Sequence, residues 1–320
     1  MGEAKFLRGL SYFKLVQVFG DVPVNLSPTP PVDDPSILER QPVSNIYNEI
    51  IIPDLQDAVA ALGNEVQNGR ASRWAAQGIL GKVYVYLGNF PLAETELAAV
   101  VNGASGAGIE LQANFAEIFG FENDLNPEII FATQISSSIV DEYGFSEFWS
   151  WSGGLDTKSL EPLDLDLVAA FDASEAGGDT DLRRAVTIDE TLLASPKFPQ
   201  ANGPDHDWIE LRLADVILLY AEALNENNNT TAALTELNKI RTRAGLSNST
   251  ATTTGEIRQA IQDERRLELA FEGQRWFDLV RTGTVDAEMG ETVNPNYYIF
   301  PIPVSEVLAS GGVIEQNPGY

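Results

Sequence analysis

Apolar positions recur at helical spacing over most of the chain, and strand-like alternation is rare. Between residues 3 and 19, Phe6, Leu10, Phe13 and Val16 share one face, with Leu7, Leu15 and Val18 beside them. This spacing predicts a helix with a wide buried side that stops at Gly20-Asp21-Val22-Pro23. Prolines 23, 28, 30, 31 and 35 exclude regular structure from the loop that follows, because each fixes φ and removes an N–H donor. A second helix is predicted over 44–62, with Ile46, Ile50, Leu55, Val59 and Leu62 inward.

From residue 72 the pattern becomes a helical hairpin. Trp74, Ile79, Leu80, Val83, Tyr84 and Leu87 lie on one helix, and Ala93, Leu97, Val100 and Val101 on the next. Gly88 suits the left-handed residue that ends a helix, and Pro91 the first turn of its successor. A second hairpin follows the same plan, with Leu213, Ile217, Tyr220, Ala221 and Leu224 on its first helix and Leu234, Leu237 and Ile240 on its second. Pairs of about 34 residues with small residues at close contacts match the tetratricopeptide period. The second hairpin is apolar on most of its surface, so other parts of the chain are expected to cover it. Residues 256–280 predict one more long helix broken at Gly273, and 297–303 an extended segment held by Pro301 and Pro303. The fold class is therefore mainly α: a tetratricopeptide-like helix-turn-helix scaffold with a loop-rich insertion carrying a few short strands. As domain organisation we expect one domain over 1–320, with scaffold at 1–108 and 211–320 and the insertion at 109–210. Within that insertion, 128–135 is the best strand candidate.

The insertion carries the most distinctive chemistry. Tyr143, Phe145, Phe148, Trp149 and Trp151 place five aromatics in nine residues, interleaved with Ser and followed by Gly153-Gly154. Such a run makes a poor helix. Aromatic faces are what a sugar site needs, since the C–H face of a pyranose stacks on a flat ring while its hydroxyls find polar partners. Trp149, Trp151, Phe148 and Tyr143 are thus the candidate ligand-binding residues. The competing expectation is that Trp149 and Trp151 share a strand face and pack inward.

Composition narrows the alternatives. The chain has 320 residues, 44% hydrophobic, which suffices for a substantial core. With 47 acidic residues against 20 basic, the formal charge is −27, which argues against nucleic acid because that affinity rests on Lys and Arg displacing counterions. There is no Cys and a single His, His206, so thiolate sites and an HExxH zinc site are excluded. His206 sits in Pro204-Asp205-His206-Asp207, which reads as a solvated turn. The Gly103 to Gly108 run follows a helix and lacks the phosphate-loop order. No cofactor, metal site or catalytic residue is assigned. Acidic pairs such as Asp164/Asp166 and Glu264/Glu268 arise by number alone; Glu264 to Glu268 reads as ion pairing along one helix face. Arg241 and Arg243 read as charges at a helix C-terminus, and Arg183-Arg184 as a local basic cluster able to favour acidic ligands. No run of about 18 apolar residues spans a membrane.

Several segments resemble the SusD-like (RagB/SusD) family: Glu3-Ala4-Lys5-Phe6-Leu7-Arg8-Gly9-Leu10-Ser11-Tyr12-Phe13 with Phe19-Gly20-Asp21-Val22-Pro23, Leu211 to Val216 with Tyr220 to Asn225, and Asn238 to Leu246. The fullest match is Glu264-Arg265-Arg266-Leu267-Glu268-Leu269-Ala270-Phe271-Glu272-Gly273-Gln274-Arg275-Trp276-Phe277-Asp278-Leu279. Pro301-Ile302-Pro303 and Gln316-Asn317-Pro318-Gly319-Tyr320 complete it. The resemblance implies a non-enzymatic glycan-binding lipoprotein on the outer surface of a Gram-negative outer membrane. Such a protein captures an oligosaccharide or polysaccharide and delivers it to a SusC-like TonB-dependent transporter. The membrane would be met only through an N-terminal lipid anchor. Members usually begin with a signal peptide, a lipid-bearing Cys and a further helical stretch, which do not precede Met1, and most are longer than this chain, so the resemblance implies an N-terminal truncation or an unusually small insertion. Family motifs are largely scaffold, so Trp276 and Trp74 are expected to be structural. Two rival readings remain at this stage, a tetratricopeptide-type protein-interaction scaffold and a glycoside hydrolase.

Overall fold

In a computed structural model of the chain, which describes residues 1–29, 34–66, 69–135, 163–191, 193–198 and 207–320, the helical spacing becomes helix at nearly every predicted place. The contacts divide into two units, residues 1–62 with 276–320, and residues 63–275.

In the first unit, α1 (Gly2–Phe19) buries Phe6, Leu10, Phe13 and Val16 as its spacing requires. It ends at Gly20, whose φ of 72° suits a residue without Cβ. Two short strands, β1 (Val22–Pro23) and β2 (Arg40–Gln41), pair antiparallel. The second predicted helix is interrupted: α2 (Val43–Ile46) passes through a π-turn, Tyr47–Ile51, into α3 (Ile52–Ala61). Pro53 accounts for the widening, because it has no N–H for residue 49 and its ring crowds that carbonyl. The extra residue turns the inward face, so Ile50, Ile51, Leu55 and Ala58 are buried while Val59 and Leu62 are only half-buried. Arg8 locks α1 to α3 through a bidentate pair with Asp54 at 2.5 and 2.8 Å.

The second unit holds both hairpins. The first is α4 (Arg73–Tyr86) and α5 (Phe90–Gly103). Ser72 caps α4 by accepting the Ala75 N–H, and Gly81 sits so close to Leu97 that an added Cβ would lie 2.5 Å from its Cγ. Strand β3 (Ile129–Thr133) falls within the predicted segment. Then come α6 (Leu165–Glu175) and the short α7 (Arg184–Thr187). α6 lies in the stretch expected to lack helix. Only Phe171 of it is fully buried, with Leu167, Val168 and Ala170 partly buried beside it against Ile188 and Leu267; Asp164 starts it by accepting the Asp166 N–H. β4 (Trp208–Arg212) pairs antiparallel with β3 and leads directly into α8 (Leu213–Glu226), which forms the second hairpin with α9 (Thr230–Arg243). α8 packs against α4, α5, α9 and α10 (Thr254–Glu268) and is buried on nearly every side. The expected cover therefore comes from this chain, and α8 offers no open peptide groove. α10 opens with a capping box between Thr253 and Glu256 and stops at Glu268, earlier than the predicted break. Residues 269–274 turn there, with Phe271 and Gly273 both at positive φ.

The remaining helices, α11 (Arg275–Thr282), α12 (Val285–Met289) and α13 (Val304–Ala309), return the chain to the first unit. The terminal motif is structural. Asn317 is buried, donates to the carbonyls of Phe19 and Phe300, and accepts from Arg40, whose guanidinium also reaches the carbonyls of Asp21 and Glu315. Gln316 bridges the N–H and C=O of Ile302. One buried amide thus ties three chain segments together.

Candidate functional site

The proposed sugar-binding aromatics, Tyr143, Phe148, Trp149 and Trp151, lie outside the described residues, as does His206. The described chain leads up to them from β3, where the Ile135 N–H donates to Asp207 Oδ1 at 3.0 Å just before β4 begins. It resumes at Leu163, whose N–H donates to the Leu193 carbonyl. The other two tryptophans singled out are structural. Trp74 is buried, donates to the Asn64 carbonyl and fills the space beside Gly103. Trp276 donates to the Tyr298 carbonyl and meets that ring edge-on.

What organises the frame of this region is a buried ion cluster. At the end of β4, Arg212 is 1% exposed and uses all five N–H donors. They go to Glu128, to both Glu272 oxygens, and to the Glu268 carboxylate and carbonyl, at 2.6–2.9 Å. Arg183 grips Asp181 bidentately at 2.9 and 2.7 Å and also reaches Glu264 and Glu268. Arg243 joins Glu128 to Glu268, and Arg241 holds the second Glu264 oxygen. Lys197 donates to the Glu268 and Ala270 carbonyls and to Glu272, with its ammonium 4.6 Å from the Phe119 ring centroid. The turn after α10 explains this placement. A helix leaves its last carbonyls without partners, and here Arg212 and Lys197 supply the missing donors.

Electrostatics follow from this packing. Burial pushes the Glu268 carboxyl up, but Arg243, Arg212 and Arg183 outweigh it and hold it well below its ordinary value. For Lys197, burial lowers the ammonium to about 8, an effect that Glu272 opposes and Arg212 reinforces. A smaller cluster repeats the principle. Asp215 on α8 accepts from Lys82 at 2.8 Å and Arg265 at 2.7 Å, and these cations overcome burial to hold its carboxyl low.

Three sequence expectations are corrected here. Glu264, Arg265 and Glu268 do not pair along one helix face; each is buried and bonds to a distant segment, because that helix lies against α8, α9 and Arg183. Arg241 and Arg243 serve buried carboxylates as well as a helix end. Arg183-Arg184 is no open basic cluster: Arg183 is fully buried among carboxylates, and Arg184 pairs with Asp172, Glu175 and Glu190. Charge type alone hid the cluster; the readable signal was an arginine, Arg212, set between leucines at the head of an apolar helix.

An open cleft of about 180 Å³ is bordered by Gly108, Leu125, Asn126, Ile130 and Phe131. It falls short of the ~300–1,000 Å³ usual for small-molecule sites. The Asn126 amide there is already bonded to Ile118, Asn123, Gln112 and Glu128. Among the described residues no group of three His, Asp or Glu is placed to hold a metal ion.

Comparison with known proteins gives this frame a family. Residues 186–320 match the SusD family, and residues 1–85 match the family described as "Starch-binding associating with outer membrane". SusD-like protein P2 of Formosa agariphila is 28% identical, with 99% of this chain and 73% of the relative aligned. A crystal structure of a SusD superfamily protein from Parabacteroides distasonis superposes with a TM-score of 0.82 at 25% identity, covering 100% of this chain and 78% of that one. A laminarin-binding SusD-like protein gives a TM-score of 0.73 at 27% identity, covering 100% and 78%. Along its whole length the chain is similar to proteins of the SusD-like family.

Proposed function

We propose that this protein binds an oligosaccharide or polysaccharide at the cell surface, on the outer side of an outer membrane, and delivers it to a SusC-like TonB-dependent transporter, without performing chemistry on it. The observation that carries the reading is an aromatic, Ser/Gly-interleaved segment set in a helical frame that is similar, over the whole chain, to a laminarin-binding protein. The starch-binding, outer-membrane description of the family matched at residues 1–85 supports both ligand class and location. Trp149 and Trp151 supply stacking faces, and Phe148 and Tyr143 extend the platform. Stacking holds the ring; hydrogen bonds to hydroxyls choose among sugars. A purely binding role agrees with the acidic pairs noted in the sequence. Glu264 and Glu268 are locked in buried ion pairs, and Asp164 is engaged as a helix cap.

Replacing Trp149 and Trp151 together by Ala is expected to abolish retention on a glycan affinity gel while leaving the circular dichroism spectrum unchanged. Undiminished retention would place the site elsewhere. Co-purification of a transporter barrel with the tagged protein, with and without glycan, tests the delivery step.

A further inference from the structure

The excess of negative charge and the fate of the basic residues together point to the kind of glycan. In the main cluster Arg183, Lys197, Arg212, Arg241 and Arg243 face Asp181, Glu128, Glu264, Glu268 and Glu272, five cations to five carboxylates. The cluster is neutral, so the whole formal excess of 27 negative charges lies outside it. Both Arg-Arg pairs of the chain are engaged internally: Arg183 and Arg184 as described, Arg265 with Asp215, and Arg266 with a partner of its own. The arginines of the cluster and of both pairs are therefore committed to partners within the chain.

A uronate or sulfate ester is recognised by Arg or Lys donors. To recruit Arg183 or Arg212, such a ligand would have to leave a buried carboxylate without its partner. On approach it would also meet a field of its own sign. By sequence, the stretch 136–162 adds to that field, with Asp141, Glu142, Glu147, Asp156 and Glu161 against Lys158 alone. Stacking of a neutral pyranose needs no cation and is indifferent to the field.

We propose that the ligand is a neutral glycan and that uronate-bearing and sulfated polysaccharides are electrostatically excluded. The proposal rests on the carbohydrate-binding reading above. It is tested with the full chain on affinity gels containing neutral polysaccharides (starch, laminarin, xylan, mannan) and acidic ones (alginate, pectin, carrageenan). Each gel is run at about 0.01 M and about 1 M salt, where the screening length is about 30 Å and about 3 Å. At least one neutral glycan should be retained equally at both salts. A carboxymethylated form of that same glycan should bind at least about tenfold more weakly at low salt, and the gap should narrow at high salt as the field is screened. Retention of an acidic polysaccharide at low salt that weakens as salt rises overturns the proposal, because it demonstrates a working basic site. A gap between the neutral and carboxymethylated forms that does not change with salt also overturns it, since the discrimination is then steric. Retention of no glycan at either salt overturns the carbohydrate-binding reading itself, a result distinguishable from the other two.

Discussion

The two helical hairpins have the same backbone and different chemistry at their ends. In both, the turn between helices closes with the same hydrogen bond, Asn89 N–H to the Tyr84 carbonyl and Asn229 N–H to the Leu224 carbonyl, each at 2.8 Å. In both, the preceding residue is left-handed: Gly88 at φ 67° and Asn228 at φ 65°. The hairpins part at the start of their first helix. α4 has a Ser72 cap, whereas the corresponding position of α8 is Arg212, which makes no cap bond and sends its side chain into the ion cluster. A local interaction of about 1 kcal/mol has given way to a long-range anchor joining β3, β4 and the end of α10. Repetition of shape therefore survives wide change in residue type, provided that the turn geometry and one buried stripe are kept.

The sharpest way to break the comparison is Arg212→Ala. It strands the buried carboxylates of Glu128, Glu268 and Glu272 and is expected to cost ~3–5 kcal/mol in urea unfolding. At the equivalent position of the first hairpin, Ser72→Ala should cost only about 1 kcal/mol. Equal losses would mean that the cluster contributes no more than a cap.

Acid should unfold the second unit through the same groups. Glu268 has an ordinary value of 4.5 and is held below it in the folded chain, so the unfolded chain binds more protons as pH falls. The stability it contributes is fully present above about pH 4.5 and is lost below it. Asp215 acts in the same sense. In pH titrations followed by tryptophan fluorescence, Glu268→Gln should flatten the acid limb of stability while lowering the neutral plateau. An unchanged acid limb would remove these carboxylates from the account.

The turn position offers the smallest contrast. Gly88→Ala puts a Cβ on a left-handed residue and should destabilise by ~1–2 kcal/mol. Asn228→Gly, which relieves the same strain, should be neutral or slightly stabilising in thermal melts.

Much of this architecture was legible from residue spacing. The hairpins declare themselves through an apolar period, a left-handed turn residue, and Pro91 just inside the following helix. α6 did not, since its apolar face is short, with Phe171 fully buried and Leu167, Val168 and Ala170 only partly so. The π-turn was hidden because the apolar spacing over 44–62 reads as one regular helix, whereas the helix widens ahead of Pro53. Of the candidate site, the aromatic composition was plain, whereas the roles of the nearby charges were not. Glu264 and Glu268, four residues apart, suggest a solvated face until the segments carrying Arg183, Arg212, Arg241 and Arg243 are brought to them.

The amino-acid sequence by itself determined where helices start and turn, the acidic balance of the surface, and the concentration of aromatics at 143–151. Those properties depend on backbone preferences and composition, which act over a few residues or over the sum of all of them. Only the tertiary structure decided which charges are available to a ligand. Glu128, Arg183, Arg212 and Glu268 are far apart along the chain, and a charge is neutralised by what stands within a few ångströms of it rather than by its neighbours in sequence.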